Sequence, residues 1–125
     1  MNLNQVTISV LDVEKSIMFY QSLGLNLIVH STKHYARFEC GNGATFSLHY
    51  VDELRENHGT WIYFEVDNVD EQVKILQTKG IVFEELPNDK PWLWRESRLK
   101  DFDNNLIIIY HAGENRLNPP WKIKN

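Results

Sequence analysis

Residues 10–25, "VLDVEKSIMFYQSLGL", are echoed at residues 66–81, "VDNVDEQVKILQTKGI". A shift of 56 positions sets Val10 on Val66, Val13 on Val69, Ile17 on Val73, Tyr20 on Leu76 and Gly24 on Gly80. A chain of 125 residues that writes one pattern twice is confined to few architectures. It must build one supersecondary unit, then build it again, because neither copy buries enough apolar surface alone.

The unit can be read from its periodicities. In "QVTISV", residues 5–10, Val6, Ile8 and Val10 share one face and Gln5, Thr7 and Ser9 the other, the period of a half-buried strand. Asp12 is placed to cap a helix whose apolar face is Val13, Ile17 and Tyr20, and Gly24 ends it. "LNLIVH" (25–30), "YARFEC" and "ATFSLHY" read as strands, the last two joined by the tight turn "GNG" at 41–43. The second copy repeats the order. "WIYFEV" (61–66) is a strand, Asn68 caps a helix with Val69, Val73 and Leu76 inward, and Gly80 stops it. "IVFEE", "WLWRESRL" and "LIIIY" (106–110) follow as strands, with "DFDNN" a polar turn before the last. The expected fold is α+β: two tandem βαβββ modules, at about 3–56 and 57–113, with a tail at 114–125. The modules are expected to form a curved, cupped mixed sheet with the helices outside.

Composition narrows the function classes. Thirteen basic against 17 acidic residues give a net charge of −4, without the clustered basic face of a nucleic-acid binder. The balance favours neutral or cationic ligands over anionic ones. A single cysteine, Cys40, permits neither an internal disulfide nor a CxxC metal pair. No apolar run approaches the roughly 20 residues of a membrane span. "MNLNQVTISV" opens as a strand, without an apolar leader, so cytoplasmic residence is expected.

The doubled unit, opening with "VTISVLDVEKSIMFYQSLGL" and closing with "PWLWRESRLKDFDNNLIIIY", resembles the vicinal oxygen chelate superfamily. That group includes glyoxalase I, extradiol dioxygenases, and fosfomycin- and bleomycin-resistance proteins. The resemblance spans about residues 3–111. In the closing turn, Asp101-Phe102-Asp103-Asn104-Asn105, the family's usual proline and glycine are absent. The resemblance implies a cupped sheet whose concave face holds a ligand, and commonly a homodimer. In metal-using relatives four inward positions supply ligands. Here they fall on Gln5, Ser47, Trp61 and Ile108. Gln5 can serve, but an indole N–H is a donor only, Ile108 offers no lone pair, and a neutral serine is a poor ligand. His49, two residues from Ser47 on the same face, and Glu65 are the residues that could rebuild a site. His30, His34, His58 and His111 show no ligand spacing.

The inward set is instead a mixed wall. Gln5, Thr7, Ser47 and His49 bring polar groups, and Trp61, Tyr63 and Ile108 bring apolar surface, Trp61 reading either as ligand wall or as core plug. Trp92 and Trp94, sharing a face of "WLWRESRL", are expected to overhang it, and Arg37 to face inward from its strand. Aromatic surface with a few polar anchors suits a planar organic ligand. Trp121 in "NPPWKIKN" reads as a docking residue on an extended tail.

These features favour a binder of small molecules that uses no metal or other cofactor, analogous to the bleomycin-resistance proteins. A metal-dependent lyase, isomerase or dioxygenase is the alternative, and an interaction module with an open cup is a third reading. Exposed sheet edges in so small a chain need cover, which relatives supply by pairing. Light scattering is therefore expected to give about twice the 14.8 kDa of one chain. A monomer mass at micromolar concentration would contradict this.

Overall fold

The structure is a computed structural model and describes every residue except Asn57, His58 and Asn125. Two compact units divide the chain: Met1–Thr60 with Asp101–Asn104, and Trp61–Lys100 with Asn105–Asn125. The first unit holds β1 (Gln5–Val10), α1 (Val13–Ser22), β2 (Asn26–Ser31), β3 (Tyr35–Glu39) and β4 (Thr45–Tyr50). The second holds β5 (Trp61–Glu65), α2 (Val69–Thr78), β6 (Glu85–Asp89), β7 (Arg95–Lys100) and β8 (Leu106–His111). Each unit is a βαβββ module with its own four-stranded sheet, in the orders β1-β4-β3-β2 and β5-β8-β7-β6. First and last strands run parallel, β1 with β4 and β5 with β8, and the remaining pairs are antiparallel.

The helices show why the pattern repeats. Asp12 accepts a hydrogen bond from the Lys15 backbone N–H, and Asn68 accepts one from Glu71 in the same way. Each cap satisfies an amide that the first helical turn leaves without a partner. Both helices then end alike. Leu25 N–H bonds back to Tyr20 C=O and Ile81 N–H to Leu76 C=O, across Gly24 and Gly80 at φ +102° and +86°. That left-handed turn costs a side-chain-bearing residue strain and glycine none.

One face of each sheet is taken by its helix. Ile8, Val10, Ala36, Phe38, Phe46 and Leu48 pack against Val13, Ile17 and Tyr20 in the first unit. In the second, Ile62, Leu99, Ile107 and Ile109 lie on the side of Val69, Val73 and Leu76, and Arg95 reaches Asp70 of α2 at 2.8 Å. The intervening residues of every strand face away from the helix.

Two stretches depart from expectation. "IVFEE" is not a strand. Residues 81–84 form a connection, and β6 begins at Glu85 and contains Pro87. A proline is tolerated there because β6 is an edge strand with an irregular register between Glu85 and Asn88. Trp92 and Trp94 do not lie on a strand either. They sit in the β6–β7 turn, closed by Lys90 N–H to Trp94 C=O, with Leu93 at φ +70°.

The segment Asp101–Asn104, expected to be a polar turn, is part of the first unit's interior. Tyr20, fully buried, donates its phenol hydrogen to Asp101 Oδ2 at 2.6 Å. Asp101 Oδ1 accepts from Asp103 N–H, and Asp103 Oδ1 from Leu11 N–H at 3.1 Å. Phe102 covers the edge, 5.5 Å from Phe19, with the Lys15 ammonium 4.2 Å from its ring centre. Burial first, and the Asp101 charge second, push the Tyr20 phenol far above its ordinary pKa. Unfolding frees that phenol to ionise near pH 10, so its contribution is complete below about pH 10 and falls as pH rises. Tyr20→Phe is expected to cost about 1–3 kcal/mol at neutral pH, leaving Asp101 short of a donor. The same variant should also show a weaker alkaline loss of stability in denaturant melts across pH.

Candidate functional site

With one face of each sheet covered by a helix, the chemistry of each unit is carried by the other. In the first unit that face is polar. Strand registers set Thr7 beside Ser47, Arg37 beside Ser47, and Tyr35 beside His49. Ser47, fully buried, is the hub. Gln5 Nε2 donates to its Oγ at 2.6 Å, and the Tyr35 hydroxyl is 2.6 Å away on the other side. Gln5 Nε2 also reaches Thr7 Oγ1, and Thr45 donates to Gln5 Oε1. Arg37 Nε donates to Tyr35 Oη at 2.9 Å, its guanidinium 5.4 Å from the Tyr35 ring centre. His49 is on the same face and exposed.

In the second unit the face is aromatic. Trp61 is 61% exposed and Tyr63 is 42% exposed, both on β5. Trp94 stacks on Tyr110 at 4.8 Å, and Tyr63 meets both rings edge-on at 6.0 and 5.5 Å. These edge-to-face and offset arrangements put positive ring edges against negative faces. Ile108 and Tyr110 form a small buried cluster with Ala112, against which Trp94 and Leu106 pack. Glu96, only 1% exposed, accepts from Trp92 Nε1 at 2.7 Å and from Arg98 Nη2 at 3.1 Å. The Arg98 guanidinium lies 5.7 Å from the Trp61 ring centre. Glu85 lies beside Arg98 and pairs with Lys90. Burial, then the Glu96 charge, raises the Tyr63 phenol, so it stays a protonated donor at neutral pH. Glu65 ends the strand differently. Burial opposes its ionisation, but the amides of Ala112 and Gly113 donate to it at 2.7 and 3.0 Å and hold it below the usual carboxylate range.

Each expected site residue thus has a definite place. Gln5, Thr7, Arg37, Ser47 and His49 share the first unit's open face. Trp61, Tyr63 and Ile108 share the second's, with Trp94 packed beside them and Trp92 tied to Glu96. Tyr35, Glu96 and Arg98 were missed. Strand alternation puts Tyr35 with Arg37, and Glu96 with Arg98, on the faces that carry the expected residues. A hollow of about 260 Å³ lies elsewhere in the first unit, lined by Leu11, Asp12, Val13, Glu14, Lys33 and Tyr50. None of the expected site residues reaches it.

The family model of the Glyoxalase/Bleomycin resistance protein/Dioxygenase superfamily matches residues 2–109. The chain belongs to this superfamily. It is 32% identical over 125 residues to the uncharacterized protein YraH of Bacillus subtilis (strain 168), covering 88% of this chain and 98% of that one. A superfamily structure from Nocardioides superposes with a TM-score of 0.79 at 20% identity, over 99% of this chain and 90% of that one. The lactoylglutathione lyase of Agrobacterium tumefaciens gives 0.76 at 16% identity, over 98% and 97%. At such identities the two structures share the fold, and their chemistry remains their own.

Metal-using members of the superfamily need four donors, and the side chains here do not fit that need. At the four positions the resemblance assigns, Gln5 Oε1 has a lone pair left after accepting from Thr45, but Ser47 is committed to Gln5 and Tyr35, Trp61 offers a donor only, and Ile108 is buried hydrocarbon. Glu65 Oε2 accepts from two backbone amides, and its Oε1 faces Arg116 Nε at 3.7 Å. Among the described residues, no three His, Cys, Asp or Glu side chains group closely enough to hold a metal ion. His58 lies outside the described residues. Purified protein is expected to carry well under one divalent cation per chain by elemental analysis, with a melting temperature unmoved by chelator. One tight ion per chain, lost in Gln5→Ala, would contradict this.

Proposed function

We propose that this superfamily member is a metal-free, homodimeric binding protein for a small, flat organic molecule, received on the aromatic face of the second unit. The exposure of Trp61 carries the reading. A tryptophan on a strand would ordinarily be buried, yet this one stands open beside a half-exposed Tyr63. The supporting layer is rigid, because the Trp94–Tyr110 stack and buried Ile108 leave little freedom beneath it. Preorganised aromatic surface binds flat ligands without the entropy cost of ordering side chains. Glu96, with Arg98 and Trp92 held to it, supplies polar groups at the margin.

The alternative, a metal-dependent lyase, isomerase or dioxygenase, requires lone-pair donors where Trp61 and Ile108 stand. Two further observations favour binding over conversion. Glu96 is held by Arg98 and Trp92, and the Tyr63 and Tyr110 phenols are pushed up by burial rather than poised near neutrality.

One variant separates a ligand platform from a packing role. An aromatic pair contributes on the order of 0.5–1.5 kcal/mol beyond buried area, so Trp61→Ala should weaken binding of flat neutral aromatics about tenfold. Its melting temperature should stay near that of the parent, since an exposed ring leaves no cavity behind. Indole quenching titrations and thermal melts read both quantities. Unchanged affinity, or a variant that unfolds at room temperature, would contradict the proposal.

A further inference from the structure

We infer that the polar face of the first unit binds a carboxylate group, held by the Arg37 guanidinium and the Tyr35 hydroxyl. The inference follows from counting hydrogens and does not depend on the aromatic face of the second unit. Tyr35 and Ser47 carry two hydroxyl hydrogens, and the 2.6 Å contact between them uses one. Arg37 Nε spends its hydrogen on Tyr35 Oη, and Gln5 Nε2 spends one on Ser47 Oγ. One hydroxyl hydrogen is therefore left over. Ser47 is wholly buried, and a buried donor without an acceptor is costly. The arrangement that avoids this has Ser47 donating to Tyr35, which turns the phenol hydrogen outward.

Beside that hydrogen lie the two terminal amino groups of Arg37. Of the other four arginines, Arg95, Arg98 and Arg116 each have a carboxylate within 4 Å. Among the described residues, Arg37 has no such partner; its contacts are the Tyr35 hydroxyl and ring. It is nonetheless held in place, by that hydrogen bond and by the cation–π contact 5.4 Å from the ring centre. A planar fork of N–H donors next to one O–H matches two coplanar acceptor oxygens. Tyr35 responds to the same donors. Burial acts to raise its pKa, but the bonds from Ser47 and Arg37 prevail and lower it, as a site arranged for negative oxygen should.

The choice of carboxylate over phosphate rests on Glu39. It shares this face of β3, two residues from Arg37, and would repel a dianion more than a monoanion. The net charge of −4 acts the same way, so the preference for anions is confined to one spot.

The test uses the intact chain, labelled with ¹⁵N and ¹³C, titrated separately with benzoate, benzamide and inorganic phosphate. Benzoate is expected to shift the Arg37 Nε–H and Tyr35 ring resonances. It should bind at least about tenfold tighter than its neutral amide, as charge-assisted bonds require, and tighter than phosphate. Arg37→Gln should remove the preference for benzoate over benzamide. Tyr35→Phe, which keeps the ring, should weaken benzoate several-fold and by more than it weakens benzamide, and it decides the matter if the arginine variant does not fold. Equal affinity for benzoate and benzamide would overturn the assignment. So would a preference that survives both substitutions, or phosphate binding as tightly as benzoate. Quenching of Trp61 is a separate readout in the other unit, so either reading can fail alone.

Discussion

A single ten-residue helix can cover only one face of a four-stranded sheet. This chain has one such helix per module, and the constraint orders everything else. Strand alternation sends Ile8, Val10, Phe46 and Leu48, or Ile62, Ile107 and Ile109, toward the helix. The residues between them must go to the other side. The helix side is largely apolar in both modules, with an Arg95–Asp70 pair in the second and the Tyr20–Asp101 bond in the first. On the other side the two copies diverge. One carries hydroxyls, amides and an arginine. The other carries indoles, phenols and a buried Glu96 with its Arg98. The repeat thus conserves a scaffold and varies the chemistry mounted on it.

Much of this was legible beforehand because local signals agreed with each other. Caps at Asp12 and Asn68, glycines at 24 and 80 and the apolar faces between them fixed both helices, since each signal satisfies a backbone group the helix must otherwise leave bare. The strand faces of β1 and β5 followed from period-two alternation. The failures came where tertiary context overrode a local pattern. "IVFEE" has strand composition, but Gly80 ends α2 so that Ile81 is still bonded to Leu76, and pairing with β7 begins only at Glu84, whose N–H bonds Arg98 C=O. The tryptophans at 92 and 94 alternate like strand residues, yet Leu93 adopts a positive φ and the segment turns. Asp101 and Asp103 look like turn punctuation. Their burial depends on a hydroxyl 81 residues away, which no local window contains.

The site was legible as a face and not as a network. Alternation assigns Gln5, Ser47 and Arg37 to one side, but it cannot say that Ser47 is the buried hub or that Tyr35 joins it to Arg37. Similarly, Trp61 and Tyr63 could be placed together, while the burial of Glu96 could not be anticipated from a charged strand. Membership of the superfamily leaves function open, because related folds serve both enzymes and binders. At the positions that the resemblance assigns to metal ligands, this chain carries an indole, Trp61, and an isoleucine, Ile108. The aromatic surface so created, with its stacked underlayer, is the basis for reading the chain as a binder.

The central claim is that small molecules meet the sheet faces left uncovered by the helices. Amide and side-chain chemical-shift mapping with 2-naphthamide, a flat neutral probe, tests it most directly. The account expects shifts at Trp61, Tyr63, Trp94 and Ile108 and their strand neighbours on the same face, with Val69, Val73, Leu99 and Ile107 unmoved. Shifts confined to the helix side, to the hollow lined by Leu11 and Tyr50, or to Trp121 in the tail would contradict it.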